Sequence, residues 1–258
     1  MRKLCVAVLL TPSFLLPFAA QADEYGLQSV GVGVTMTQSP YAGAGSSVSL
    51  LPLLNYEGQR LFVRGMTGGV HLYEQEGFAL DVIVSGRFDG IDAEDFGRDE
   101  LASNGINRDW LDDRDDGLDL GLQASWEGSA GQLRATAKGD ISGTSDGYEL
   151  SLEYGYPLQV AGVTVVPSVA VSYLSDKLGN YYYGTLGAEE ARGVARYHPD
   201  SAVVPSVAVG IAKPLNDRWM LNAEAGYQWL PGNITDSPLT EGDSGQLGVR
   251  VGLSWIFD

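Results

Sequence analysis

Two histidines and one run of aspartates are the groups in this chain whose types and spacing could do chemistry. His71 and His198 are its only imidazoles. A histidine activates a serine when the hydroxyl is within hydrogen-bond reach and a third group orients the ring. Ser85 and Ser151 have the strand parity that would turn them inward, as His71 is expected to turn, but no spacing selects either. His198 stands in Arg196-Tyr197-His198-Pro199, a loop sequence. The run Asp112-Asp113-Arg114-Asp115-Asp116-Gly117 has the composition of a calcium loop. It lacks the alternating ligand spacing and the closing glutamate of such loops. A solvated acidic loop is the expectation, with divalent cations shared with lipopolysaccharide phosphates as the alternative. No catalytic, cofactor-binding or metal-binding residue is assigned, no cofactor is expected, and the chain reads as a non-enzyme.

The elements that would hold these groups have a period of two. Phe78, Leu80, Val82, Val84 and Phe88 share one parity, Asp81 and Arg87 the other. Tyr148, Leu150, Leu152, Tyr154 and Tyr156 alternate with Glu149, Ser151, Glu153 and Gly155. Leu247, Val249, Val251, Leu253, Trp255 and Phe257 alternate with Gly248, Arg250, Gly252 and Ser254. Period two is the signature of a strand. An apolar face with aromatics at its ends, opposite a charged face, is that of an outer-membrane barrel strand. The fold class is therefore all-β, an antiparallel transmembrane β-barrel, with a soluble β-sandwich as the alternative.

Strands are expected over Gln28–Met36, Ser46–Tyr56, Arg60–Tyr73, Phe78–Phe88, Leu118–Trp126, Leu133–Ile141, Tyr148–Leu158, Val163–Tyr173, Val203–Ala212, Trp219–Leu230 and Leu247–Phe257. Bacterial barrels have even strand numbers, short periplasmic turns and long external loops. Splitting Arg60–Tyr73 at Gly65-Met66-Thr67-Gly68-Gly69 satisfies all three, giving about 12 strands, with 10 or 14 as alternatives. Both termini then face the periplasm, and Asp89–Asp116 and Ser175–Ala202 are external loops. Pro52, Pro157, Pro167 and Pro205 fall within strands, where each removes a ladder donor. They are expected near strand ends or at bulges.

Arg2 and Lys3, the apolar stretch Leu4–Leu16 and Ala20-Gln21-Ala22 have the order of a secretory signal. Residues 1–22 are thus expected to be removed, leaving residues 23–258 as the barrel. The only cysteine, Cys5, would leave with the signal, which excludes a disulfide scaffold. The full chain has a net charge of −17, and loss of Arg2 and Lys3 takes it to −19. Nucleic acid, which needs a basic surface, is excluded as a partner. Mean hydropathy is −0.04, and past the signal no apolar run reaches the ~18 residues of a membrane helix. Closing a barrel is the remaining way for such a chain to span a membrane. The expected location is the cell outer membrane of a Gram-negative bacterium, in contact with its lipid and lipopolysaccharide.

By parity, Asp81, Arg87, Asp119, Arg134, Lys138, Asp140, Glu149, Glu153, Glu224 and Arg250 point inward. Opposite charges on neighbouring strands suit a lattice of ion pairs along the lumen wall. Gly187–Arg196 suits a short helix in the second long loop. Tyr181-Tyr182-Tyr183 before it is expected to pack that loop onto the barrel rim.

Several segments carry a resemblance. They are Leu51-Pro52-Leu53-Leu54-Asn55-Tyr56 with Leu61-Phe62-Val63-Arg64-Gly65, then Asp113-Arg114-Asp115-Asp116, then Asn180-Tyr181-Tyr182-Tyr183-Gly184 with its Ala-Glu-Glu-Ala-Arg continuation, and Ile234-Thr235-Asp236-Ser237-Pro238. On these the chain resembles the MipA/OmpV family of outer-membrane proteins, over essentially the whole mature length. It departs in ending Phe257-Asp258, one residue past the terminal aromatic. The resemblance implies a scaffold linking a lytic transglycosylase to a bifunctional penicillin-binding protein in peptidoglycan remodelling. A small-solute channel, or an adhesin acting through the long external loops, is the alternative.

Overall fold

Alternating side chains set the strands of the protein, whose computed structural model describes residues 25–257. The expected signal, Cys5 and Asp258 lie outside the described residues. The sheet runs through β1 (Gly26–Gln38), β2 (Ser46–Glu57), β3 (Leu61–Arg64), β4 (Thr67–Gln75), β5 (Phe78–Arg87), β6 (Gly117–Gly128), β7 (Gly131–Asp140), β8 (Tyr148–Gly155), β9 (Leu158–Val160), β10 (Val163–Leu174), β11 (Ala202–Pro214), β12 (Trp219–Trp229) and β13 (Gly245–Ile256). Each pairs antiparallel with its neighbours, β1 with β13 and β10 with β11, so the sheet closes. β8 and β9 both lie against β10 and form one strand interrupted at Tyr156-Pro157. The result is a closed barrel of twelve strands. Closure pairs the strands with one another, as hydrocarbon demands, except that β2 from Ser46 to Leu53 has a strand, β1, on one side alone.

Joints at one end are short: 58–60, 76–77, 129–130, 161–162 and 215–218. At the other end lie 39–45, 88–116, 141–147, 175–201 and 230–244. One joint at that end, Gly65-Met66, is a two-residue turn, with Gly65 at φ 61°. The split of Arg60–Tyr73 therefore stands, but Gly68 and Gly69 belong to β4, not to the turn. A Cβ at Gly69 would overlap the Phe62 ring, so this glycine makes room for an inward aromatic.

Three of the four prolines sit at irregularities. Pro157 is the break between β8 and β9. The Tyr156 N–H donates to the Pro167 carbonyl at 3.1 Å, so the side of Pro167 that lacks a donor faces that break. Pro205 lies one residue beyond the last β11–β12 pair, Ser206 with Gln228. Pro52 is neither near a strand end nor at a bulge: it lies in the middle of β2 opposite Val32 of β1, past the stretch that pairs with β3, where no ladder donor is required of it.

Outward apolar residues such as Leu152, Val251 and Leu247 are exposed, while Glu149, Glu153 and Ser254 between them are buried. Aromatics gather at the ends of the strands. Tyr148 packs on Tyr173 at the long-loop end, and Trp219 on Trp255 at the short-turn end. This is the paired-girdle arrangement of a barrel in lipid.

Candidate functional site

The inward charges form layers held by consecutive strands. Arg87, at the long-loop end of β5, meets Asp119 of β6 at 2.7 Å, Glu149 of β8 at 2.9 Å, and Asp89 at 2.9 Å. Lys138 of β7 reaches Asp119 at 3.3 Å and Glu149 at 3.4 Å. Two cations and three carboxylates thus share one buried cluster. Arg134 and Glu153 pair at 3.4 Å on β7 and β8, and Glu224 stands opposite Arg250 in the β12–β13 register. The lattice expected from parity is present, except at Asp140. That carboxylate turns to the 141–147 loop and accepts from the N–H groups of Ser142 and Asp146.

His71 faces the barrel interior, as its parity predicts, between two carboxylates. Its Nδ1 is 2.7 Å from Asp81 Oδ1 and its Nε2 is 2.7 Å from Glu57 Oε1. Phe62 stacks on the ring at 4.8 Å, and Arg64 pairs with Glu57 at 3.0 Å while lying over Phe62. Both ring nitrogens are committed to carboxylates, which takes two N–H donors or one carboxyl proton. No lone pair is left to activate a hydroxyl. Ser85 stands four residues along β5 from Asp81, roughly 13 Å away, opposite Thr67. Ser151 is on β8, with β5, β6 and β7 between it and β4. A serine–histidine pair is therefore not assembled. Glu57 was hidden because it reads as part of the turn. Arg64 has the inward parity that could have found it.

The long loops fold into a cap with its own core. Besides two single 3₁₀ turns they carry α1 (Arg98–Ser103), α2 (Asp176–Tyr183), α3 (Gly187–Arg192) and α4 (Gly232–Thr235). Tyr41, Phe96, Leu101, Leu178, Ile234 and Leu239 are each 2% exposed or less. α3 is shorter than the expected Gly187–Arg196, because Gly193 turns left-handed at φ 107°. The acidic run is not merely solvated. Arg114, in its middle, is buried and forks onto Glu189 of α3 at 2.7 and 2.9 Å. Glu189 also accepts from the Leu186 N–H at 2.7 Å, closing the first turn of α3. The aspartates on either side serve backbone and loop contacts. Asp113 accepts from the Ala93 N–H, Asp116 from Gly90, and Asp112 pairs with Arg192.

The tyrosine cluster packs onto the rim, as expected. Tyr41 donates to the Tyr182 carbonyl at 3.1 Å, and Ser237 to the Tyr183 carbonyl at 2.6 Å. Burial pushes the Tyr41, Tyr182 and Tyr183 hydroxyls well above the ordinary phenol range, so they remain hydrogen-bond donors. His198 stays outside, 3.2 Å from Glu190. The Asp113, Tyr181, Glu189 and Ser237 segments that carry the resemblance thus converge in this cap. Beneath it lies a cavity of about 40 Å³ lined by Arg87, Asp89, Glu149, Tyr183 and Gln228.

A closed antiparallel sheet, ionic within and apolar without, defines an outer-membrane β-barrel. The chain belongs to the MipA family: the family described as MltA-interacting protein MipA matches residues 30–257. It is 32% identical over 248 residues to the putative outer membrane protein YiaT of Escherichia coli (strain K12), covering 95% of this chain and 96% of that protein. It is 28% identical over 258 residues to the MltA-interacting protein of the same organism, covering 100% and 99%. Among solved structures it is similar to the NanC porin, at 10% identity and a TM-score of 0.47, covering 88% of this chain and 100% of that one.

Proposed function

We propose that the protein is a membrane-anchored, non-enzymatic scaffold that links a lytic transglycosylase to a bifunctional penicillin-binding protein in peptidoglycan remodelling. The observation that supports this reading most is the asymmetry of the two barrel ends. The external mouth is occupied by the packed cap. At the other rim, β9 pairs with β10 alone and carries Leu158 and Val160 exposed, beyond the girdle residues Tyr154 and Tyr156. Apolar side chains past the aromatic belt face the periplasm rather than hydrocarbon. A standard interface takes ~800 Å² from each partner, more than five short turns supply. The β9–β10 hairpin and the adjoining rim would have to join in, with a partner held at the same membrane. A relative alike end to end is named for its interaction with MltA, which agrees with a transglycosylase partner.

Recovery from cross-linked envelopes tests the reading. A tagged chain should enrich a transglycosylase or a murein synthase over an unrelated barrel. The double variant Leu158→Asp/Val160→Asp should lose that enrichment by about tenfold, equivalent to ~1.4 kcal/mol of binding, while remaining a folded barrel. Equal recovery by this protein and an unrelated barrel rejects the scaffold.

A further inference from the structure

The cavity beneath the cap is where the barrel wall and the external loops meet. Glu149 reaches it from β8, Ser206 from β11, Gln228 from β12, Asp89 from the chain just past β5, and Tyr183 from the end of α2. Its volume of about 40 Å³ exceeds the roughly 10–15 Å³ that one water-sized sphere fills.

Three oxygens on its lining meet no protein donor among the described residues. Tyr183 is 2% exposed and its hydroxyl makes no hydrogen bond to protein, since the bond from Ser237 goes to its carbonyl. Gln228 is 6% exposed. Gln246 donates its Nε2 to the Gln38 carbonyl at 2.9 Å, so its oxygen accepts from the Gln228 amide nitrogen. That fixes the Gln228 amide and leaves its Oε1 without a partner. Asp89 meets Arg87 through Oδ2, which leaves Oδ1. Buried oxygens of this kind are completed by water or by an ion.

Charge decides between the two. Arg87 and Lys138 face Asp89, Asp119 and Glu149. Two cations thus stand against three carboxylates, and one negative charge is left over in a buried place. In the cap, Arg114 and Glu189 balance each other. Water completes hydrogen bonds but carries no charge, and an uncompensated buried charge is strongly destabilising. Arg87 also lines the cavity, but its Nε, Nη1 and Nη2 already bond Asp119, Asp89 and Glu149. An anion would add to the excess. A divalent cation would leave one positive charge over beside the guanidinium.

We propose that the cavity binds one alkali cation, sodium or potassium, which ties the cap to the charged cluster of the barrel. Asp89 Oδ1 and the Gln228 amide oxygen are two of its ligands, a lone pair of the Tyr183 hydroxyl is the third, and water completes the shell. Hard cations take oxygen ligands of these kinds. Tyr183 belongs to the cap and Gln228 to the wall, so an ion held between them favours the closed cap by mass action.

Limited proteolysis of the folded chain in neutral detergent tests the site, with cleavage in the 175–201 loop as the readout. Choline, sodium, potassium and magnesium chlorides are compared at equal ionic strength and pH, choline being too large for the cavity. Sodium or potassium should slow cleavage about tenfold relative to choline, as expected when the ion is at about ten times its Kd. Tyr183→Phe removes one ligand and no protein hydrogen bond. It should match the parent chain in choline and lose most of the alkali-ion gain. Asp89→Asn removes the excess charge and should abolish the gain. Heat-dependent gel migration confirms that each barrel is folded. Equal cleavage in choline, sodium and potassium overturns the proposal and leaves water or a proton in the cavity. An alkali-ion gain of full size in both variants also overturns it, by placing the ion elsewhere. So does a larger gain in magnesium that Asp89→Asn abolishes, since the ligand would then be divalent.

Discussion

Arg87→Met is expected to cost the barrel about 3–5 kcal/mol, the usual penalty for removing one partner of a buried ion cluster. Arg87 is the one cation that touches all three of Asp89, Asp119 and Glu149. Without it three carboxylates share Lys138, whose amine stands at 3.3 and 3.4 Å from two of them. The loss is enlarged because the site is buried and the orphaned carboxylates repel one another. The readout is the temperature at which the folded band converts to the unfolded one on a detergent gel. Lys138→Met should move this midpoint less, since Arg87 remains against all three acids. Adding Glu149→Gln to Arg87→Met should recover part of the loss, because the pair shares one network and its effects cannot be additive. A midpoint unchanged by Arg87→Met would mean that the cluster does not hold β5, β6, β7 and β8 in register.

Arg114→Met should act on the cap and leave the strands in place. It strands Glu189, which is fully buried, with only the Leu186 and Asp112 N–H groups as partners. A loss of about 3 kcal/mol corresponds to roughly a hundredfold rise in the population of open cap. Limited proteolysis in the 88–116 and 175–201 loops measures it, with the trimmed barrel remaining folded. Arg114→Met combined with Glu189→Leu should restore much of the protection, because apolar groups of similar size replace buried ion pairs at little net cost. Protection lost equally in the single and double variants would place the cap's stability elsewhere in its core.

Strands were legible because lipid and lumen impose opposite demands on successive residues. That alternation exposes the outward row of β13 and the inward charges of β6, β7 and β8 alike. Loop length did the rest: an odd strand count and a misplaced acidic loop require the turn near Gly65. The same glycine-rich stretch hid how short β3 is, since Gly68 and Gly69 suit a turn as well as a strand that must pass Phe62. The cap was legible only in pieces. Arg114 and Glu189 are 75 residues apart in segments without periodicity, so composition alone makes the aspartate run look solvated. The one arginine among four aspartates was the available sign that a buried partner was needed. α2 had a sign too, in Ser175, whose hydroxyl accepts from the Leu178 N–H as an N-cap. At the candidate site, parity turned His71 inward, but its second carboxylate, Glu57, sits at the very end of β2 and looks like turn.

A folded core shutting the external mouth, as the proposed scaffold requires, would make the barrel a platform rather than a pore. Planar-bilayer recording of the purified, folded protein tests this most directly. No steady conductance is expected from the intact chain, and stepwise openings once the 175–201 loop is cut out. Stable, ohmic channels from the intact chain would contradict it.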